Sequence, residues 1–230
     1  MIVDNYKYFL FDLDRTVWDF DKISEASMSS VLGKNKLLIE DKKDFFKKYE
    51  VINNQLWHQY EEGIITKETL RVQRFYQTFK THYGIDDIRF SEQFGSDYLN
   101  QIGYGKTLMP GVLDVLQLLY ERRCKMAIVS NGFKEVQYRK LKSSSVEQYF
   151  NSIIISDEVG VNKPNPKIFE IAMQSLGGNK KETLMVGDDF INDIEGAQTY
   201  GIDQFYYNFY NRQCNGHPTY EANDMLALIK

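Results

Sequence analysis

Apolar residues along this chain fall into two kinds of block. Short unbroken runs, Tyr8-Phe9-Leu10-Phe11, Met126-Ala127-Ile128-Val129, Ile153-Ile154-Ile155 and Thr183-Leu184-Met185-Val186, read as buried strands, with a fifth near Gln204 to Tyr207. Between them lie longer patterns at helical spacing. Pro110-Gly111 precedes a helix with Val112, Val115, Leu116 and Leu119 on one face, and proline is well tolerated near a helix start because its missing N–H would be unpaired there. Further helices are predicted to about Leu141, through Phe169, Ala172 and Leu176, from about Asn192 to Tyr200, and briefly at the C-terminal end. Strands alternating with helices of this length imply a parallel sheet covered on both faces, an α/β core.

The segment from about Asp19 to Gly105 contains no convincing strand. Phe45, Tyr49, Ile52, Leu56 and Tyr60 recur at spacings of three or four, as do Leu70, Phe75 and Phe79 more loosely, with Gly33, Gly63, Gly84 and Gly95 as turn signals. The expected organisation is a core of residues 1–17 and 106–230 with an all-helical domain, residues 18–105, inserted after the first strand. No internal repeat or low-complexity segment interrupts it.

In a parallel sheet all C-terminal strand ends lie along one edge, and ligands bind in the crevice outside it. The first strand runs into Asp12 and Asp14, which leave an extended chain on the same side. The second ends in Ser130-Asn131-Gly132, the third is followed by a loop bearing Lys163-Pro164, and the fourth ends in Gly187-Asp188-Asp189. Taken singly, each of these is as well explained by a turn or a helix cap. Joined at four strand ends, they point to phosphoryl transfer. Asp12, Asp188 and the backbone of Asp14 would hold one Mg²⁺, a hard cation that takes oxygen ligands. Lys163 adds positive charge, while Ser130 and the N–H groups after it add neutral donors at a helix start. Asp12 would attack phosphorus to give an aspartyl-phosphate, and Asp14 would serve as the acid and then the base.

Charge narrows the partners. Lys and Arg number 28 against 32 Asp and Glu, a net charge of −4, and no basic run suits a nucleic acid polymer or a lipid surface. The 2 cysteines, Cys124 and Cys214, make neither a disulfide framework nor a metal motif, and no stretch approaches the roughly 20 apolar residues of a membrane span. An intracellular, cytoplasmic enzyme acting on a small phosphate monoester is expected.

The motifs Asp12-Leu13-Asp14-Arg15-Thr16, Ser130-Asn131, Lys163-Pro164 and Gly187-Asp188 through Asp193 resemble, in that order, those of the haloacid dehalogenase superfamily of phosphatases. The resemblance implies a Rossmann-like core with an inserted type 1 cap. It implies Asp12 as nucleophile, Asp14 as acid/base, Ser130, Asn131 and Lys163 as binding residues for the substrate phosphoryl group, and Asp12, Asp14 and Asp188 around the metal. Asp193 would be a partner of the metal water or of Lys163, and Asp189 the less favoured ligand. Three further stretches, Thr16 to Asp21, Asn54 to Thr66 and Glu158 to Phe169, are similar to the YjjG-type pyrimidine nucleotidases, which act on nucleoside 5′-monophosphates. A phosphomutase of the same superfamily (β-phosphoglucomutase-like) and a nucleotide-binding module without turnover remain alternatives, whereas a dehalogenase has no need of Asp14. Trp18 is the better candidate for contact with a base; Trp57 and Tyr60 share a helical face with the core pattern and are expected to pack against other helices.

Overall fold

The computed structural model describes residues 1–35, 37, 39 and 41–230. Its elements run β1 (Tyr8–Phe11), α1 (Phe20–Lys34), α2 (Lys42–Glu61), α3 (Lys67–Tyr83), α4 (Ile88–Ile102), α5 (Val112–Glu121), β2 (Lys125–Ser130), α6 (Lys134–Ser143), β3 (Ser152–Ile155), α7 (Ser156–Val159), α8 (Pro166–Leu176), β4 (Thr183–Gly187), α9 (Gly196–Tyr200), β5 (Asp203–Tyr207) and β6 (Tyr220–Ala222). The chain divides into two compact units, Met1–Phe20 with Lys106–Lys230, and Asp21–Gly105.

The first unit is an α/β, Rossmann-like core. Its sheet has the order β3-β2-β1-β4-β5-β6 with every neighbouring pair parallel. Strand β1 is central, and Phe9, Leu10 and Phe11 are all buried, which is why its sequence is a continuous apolar run rather than an alternation. Register places Leu10 beside Ala127 and Met185. These three, with Val129 and Ile154, pack against Ile168, Phe169 and Ala172 of α8 and Ala197 of α9. Strand β6 has no apolar run and escapes the sequence pattern; it pairs with β5 at the sheet edge, where only three residues are needed. The expected short C-terminal helix is a single 3₁₀ turn, Met225–Leu228, fixed by burial of Met225 and Leu228.

The second unit contains helices only, among the described residues. Phe45, Tyr49, Phe75, Phe79, Phe94 and Tyr98 form a continuous aromatic core, with Tyr49 stacked on Phe75 at 5.0 Å and Phe79 edge-on to Phe94 at 5.0 Å. Asp41, Thr66 and Asp87 cap the starts of α2, α3 and α4 by accepting backbone N–H bonds. Gly63 and Gly84 do mark turns, but Gly33 and Gly95 lie inside helices. For Gly95 the reason is close packing: a Cβ there would stand 3.0 Å from the Arg71 carbonyl oxygen and 3.0 Å from the Phe75 ring.

Candidate active site

The end of β1 and the end of β4 are neighbours, and the Asp12 N–H continues their pairing by donating to the Val186 carbonyl at 2.9 Å. This brings Asp12 and Asp188 out of adjacent strands. The carboxylates of Asp12, Asp188 and Asp193 each offer an oxygen, and these oxygens lie within 4.8 Å of one another. All three residues are buried.

Lys163, from the loop after β3 and α7, reaches into this group. Its Nζ donates to Asp12 Oδ1 and to Asp193 Oδ1, each at 2.6 Å. Burial pulls the ammonium down, but the two carboxylates outweigh it and hold Lys163 well above its ordinary range. Burial in turn pushes Asp12 up against the pull of Lys163, pushes Asp193 well up, and takes Asp188, with help from the Asp12 charge, up to about 7. Three carboxylates face one ammonium at the centre. Arg212 Nη1 lies 3.5 Å from Asp188 Oδ2 at the margin, and the Thr16 hydroxyl donates weakly to Asp188 Oδ1 at 3.4 Å. Hard oxygen donors in excess of cationic charge fit a divalent metal ion.

The turn after β4 is built for this placement. Asp189 Oδ1 accepts from the N–H groups of Ile191 and Asn192, so its carboxylate caps a wide helical turn, Phe190–Glu195, that leads into α9. The Ile194 N–H reaches back to the Asp189 carbonyl, the five-residue step of a π turn, and Asp193 thereby points back to the site, with Oδ2 accepting from the Asp189 N–H. The sequence pattern had suggested a plain helix from Asn192.

After β2, Ser130 and Asn131 take different tasks. The Asn131 amide spans the Lys163 peptide, donating to its carbonyl at 3.0 Å and accepting its N–H at 2.8 Å. It therefore fixes the backbone that carries the site lysine. Ser130 Oγ accepts from the Gly132 N–H at 3.2 Å and from Gln137 Nε2 at 2.6 Å.

Asp14 stands apart from the three-carboxylate group. Its Oδ1 accepts from Lys140 Nζ at 2.6 Å and its Oδ2 from Gln137 Nε2 at 2.9 Å. Sequence reasoning passed over Gln137 and Lys140. A signal was present: Val136, Gln137, Lys140 and Leu141 form the buried stripe of α6, so two polar residues occupy positions where a helix of this kind carries apolar ones. Trp18 needs correction. It is 0% exposed, with Lys140 Nζ 4.6 Å from its ring centre, so it packs behind the lysine that meets Asp14 and is not a surface on which a base can stack. Trp57 and Tyr60, expected in the core pattern, are instead a half-buried edge-to-face pair, 5.7 Å between centroids, near the end of α2.

A family model described as haloacid dehalogenase-like hydrolase matches residues 9–206. The chain belongs to that family. Among curated relatives it is 35% identical over 229 residues to pyrimidine 5′-nucleotidase PynA of Streptococcus pneumoniae, covering 97% of this chain and 94% of that one. It is 29% identical over 209 residues to pyrimidine 5′-nucleotidase YjjG of Escherichia coli, covering 90% and 88%. Among solved structures, the putative hydrolase YfnB of Bacillus subtilis bound to magnesium superposes with a TM-score of 0.88 at 27% identity, over 97% of both chains. In this haloacid dehalogenase-like hydrolase no helix, among the described residues, is long and apolar enough to cross a membrane.

Proposed function

We propose that the protein is a Mg²⁺-dependent phosphatase that removes phosphate from nucleoside 5′-monophosphates, pyrimidine ones foremost, through an aspartyl-phosphate. The observation that carries this reading is the placing of Lys163 between Asp12 and Asp193 at 2.6 Å from each, with Asp188 beside them, in a chain 35% identical to a pyrimidine 5′-nucleotidase.

Asp12 and Asp188, with the Asp14 carbonyl, are the residues that would hold Mg²⁺, which when bound supplies charge neutralisation so that an anionic nucleophile can approach a phosphate dianion. Asp12 attacks phosphorus and the ester P–O bond breaks. Asp14 gives its proton to the departing alkoxide, so that a nucleoside leaves neutral. Water then attacks the aspartyl-phosphate, Asp14 takes its proton, and inorganic phosphate and the Asp12 carboxylate are restored. Lys163, Ser130 and the N–H groups at the start of α6 neutralise and orient the phosphoryl oxygens, with Asn131 holding Lys163 in place. The helical unit Asp21–Gly105 is assigned as the cap from which substrate selection comes. The reading extends to a cytoplasmic setting, because 2 cysteines supply no disulfide framework of the kind secreted domains rely on.

The test is phosphate release from a panel of nucleoside 5′-monophosphates and sugar phosphates with Mg²⁺. Turnover of pyrimidine nucleotides without any bisphosphate activator is expected, and Asp12→Asn should abolish release from every substrate. Release surviving in that variant refutes the nucleophile. A requirement for a bisphosphate points to a mutase, and nucleotide binding with no turnover points to a binding module.

A further inference from the structure

We infer that Lys140, together with Gln137, is the positioning device for the Asp14 carboxylate, an inference that rests on the acid/base role proposed for Asp14. Asp14 follows β1 in a tight turn whose backbone is held by its own hydrogen bonds. The Val17 and Trp18 N–H groups donate to the Leu13 carbonyl at 3.0 and 2.8 Å, and the Arg15 N–H donates to the Trp18 carbonyl at 2.8 Å. Those bonds fix the backbone and leave the side chain its rotation. Helix α6 removes that freedom, because Gln137 and Lys140, three residues apart and so on one face, each take one oxygen of Asp14.

The pair is asymmetric in a way that suits a group which must meet a ligand. The Lys140 side chain is 3% exposed and the Asp14 side chain 26% exposed. Lys140 is enclosed by the rings of Trp18 at 4.6 Å and Phe20 at 5.3 Å to its Nζ. The ammonium is thus sealed behind the carboxylate and cannot swing out to a substrate. A buried ion pair is a poor way to stabilise a fold, since apolar residues of similar volume often do better. Here it acts to aim one carboxylate. Gly132 belongs to the same device, because a Cβ there would stand 2.1 Å from Gln137 Nε2 and displace the amide that links Asp14 to Ser130.

A positioning role has a kinetic signature that a merely structural one lacks. The value of kcat/KM reports the steps up to the aspartyl-phosphate, and there the acid matters for an alkoxide leaving group but not for p-nitrophenolate, which departs without a proton. In the full-length enzyme with Mg²⁺, Lys140→Met should lower kcat/KM for a pyrimidine nucleoside monophosphate by about 10²-fold, and for p-nitrophenyl phosphate by less than about threefold. Asp14→Asn should show the same selectivity more strongly, Gln137→Leu more weakly, and Lys140→Arg should recover part of the loss. Equal losses on both substrates with Lys140→Met, while Asp14→Asn remains selective, overturn the role of Lys140 alone. Equal losses with Asp14→Asn overturn the acid/base reading and this inference with it. Should Lys140→Met fail to fold by circular dichroism, Lys140→Arg and Gln137→Leu carry the same comparison.

Discussion

Asp193 lies so close over Gly187 that a Cβ at position 187 would stand 2.2 Å from Asp193 Oδ2. Any side chain there must push Asp193 away, and Asp193 is one of the two carboxylates that hold Lys163. Gly187→Ala is therefore expected to cost about 1–3 kcal/mol of stability, the usual range for overpacking a tight interior. It should also lower kcat by more than the fraction of protein lost to unfolding. Urea denaturation and phosphate release on the same preparation check both, and an unchanged kcat would show that Asp193 does not govern the placing of Lys163.

Removing the metal should be visible in stability as well as activity. Asp188 is pushed up to about 7, and Asp12 and Asp193 are raised, chiefly by burial. Between the ordinary carboxylate value and pH 7 the metal-free folded chain thus holds protons that the unfolded chain has released. Its stability should fall as pH rises across that window, since the unfolded state binds fewer protons. Mg²⁺ at about a hundred times its Kd would add about 2.7 kcal/mol, or roughly 5–10 °C in Tm. The gain should be larger at pH 8 than at pH 5, where protons compete for the same oxygens, and absent in Asp188→Asn. Thermal melts with EDTA and with Mg²⁺ at the two pH values decide it.

Burial of Trp18 against Lys140 makes a prediction about selectivity. Trp18→Phe should leave a cavity costing about 1–3 kcal/mol and slow every nucleotide by a similar factor. Ratios of kcat/KM among nucleotides that differ only in the base should stay constant. A change in those ratios would restore Trp18 as a base contact.

In the helical unit, Gly95 sits where α4 meets α3. Gly95→Val would place its Cβ 3.0 Å from the Arg71 carbonyl oxygen, which as backbone cannot move aside cheaply, and 3.0 Å from the Phe75 ring. Despite removing a helix-destabilising glycine, the change should destabilise the unit by about 1–3 kcal/mol. Limited proteolysis within Asp21–Gly105 should become faster, and equal protection would show that the two helices can part without loss.

The amino-acid sequence alone determined the first five strands, the run of helices between the first strand and the second, and the residues delivered at the strand ends. The reason is geometric: a parallel sheet brings all its C-terminal ends to one edge, so a local reading of apolar runs and the polar residues after them already locates Asp12, Ser130, Lys163 and Asp188 together. Pairings across long stretches of chain were decided only by the tertiary structure. Lys140 is 126 residues from Asp14, and Gln137 is 123 from it; sharing a helical stripe with Val136 and Leu141 marks both as polar residues on an inward face, but says nothing of the residue that this face meets. The same holds for Trp18, which a position beside the catalytic loop suggested was open and which packing against α6 buries, and for Gly95, a turn residue by pattern but a contact surface between α3 and α4. Periodicity reports which face of an element is apolar, whereas the neighbour that a given face meets depends on how the chain closes on itself.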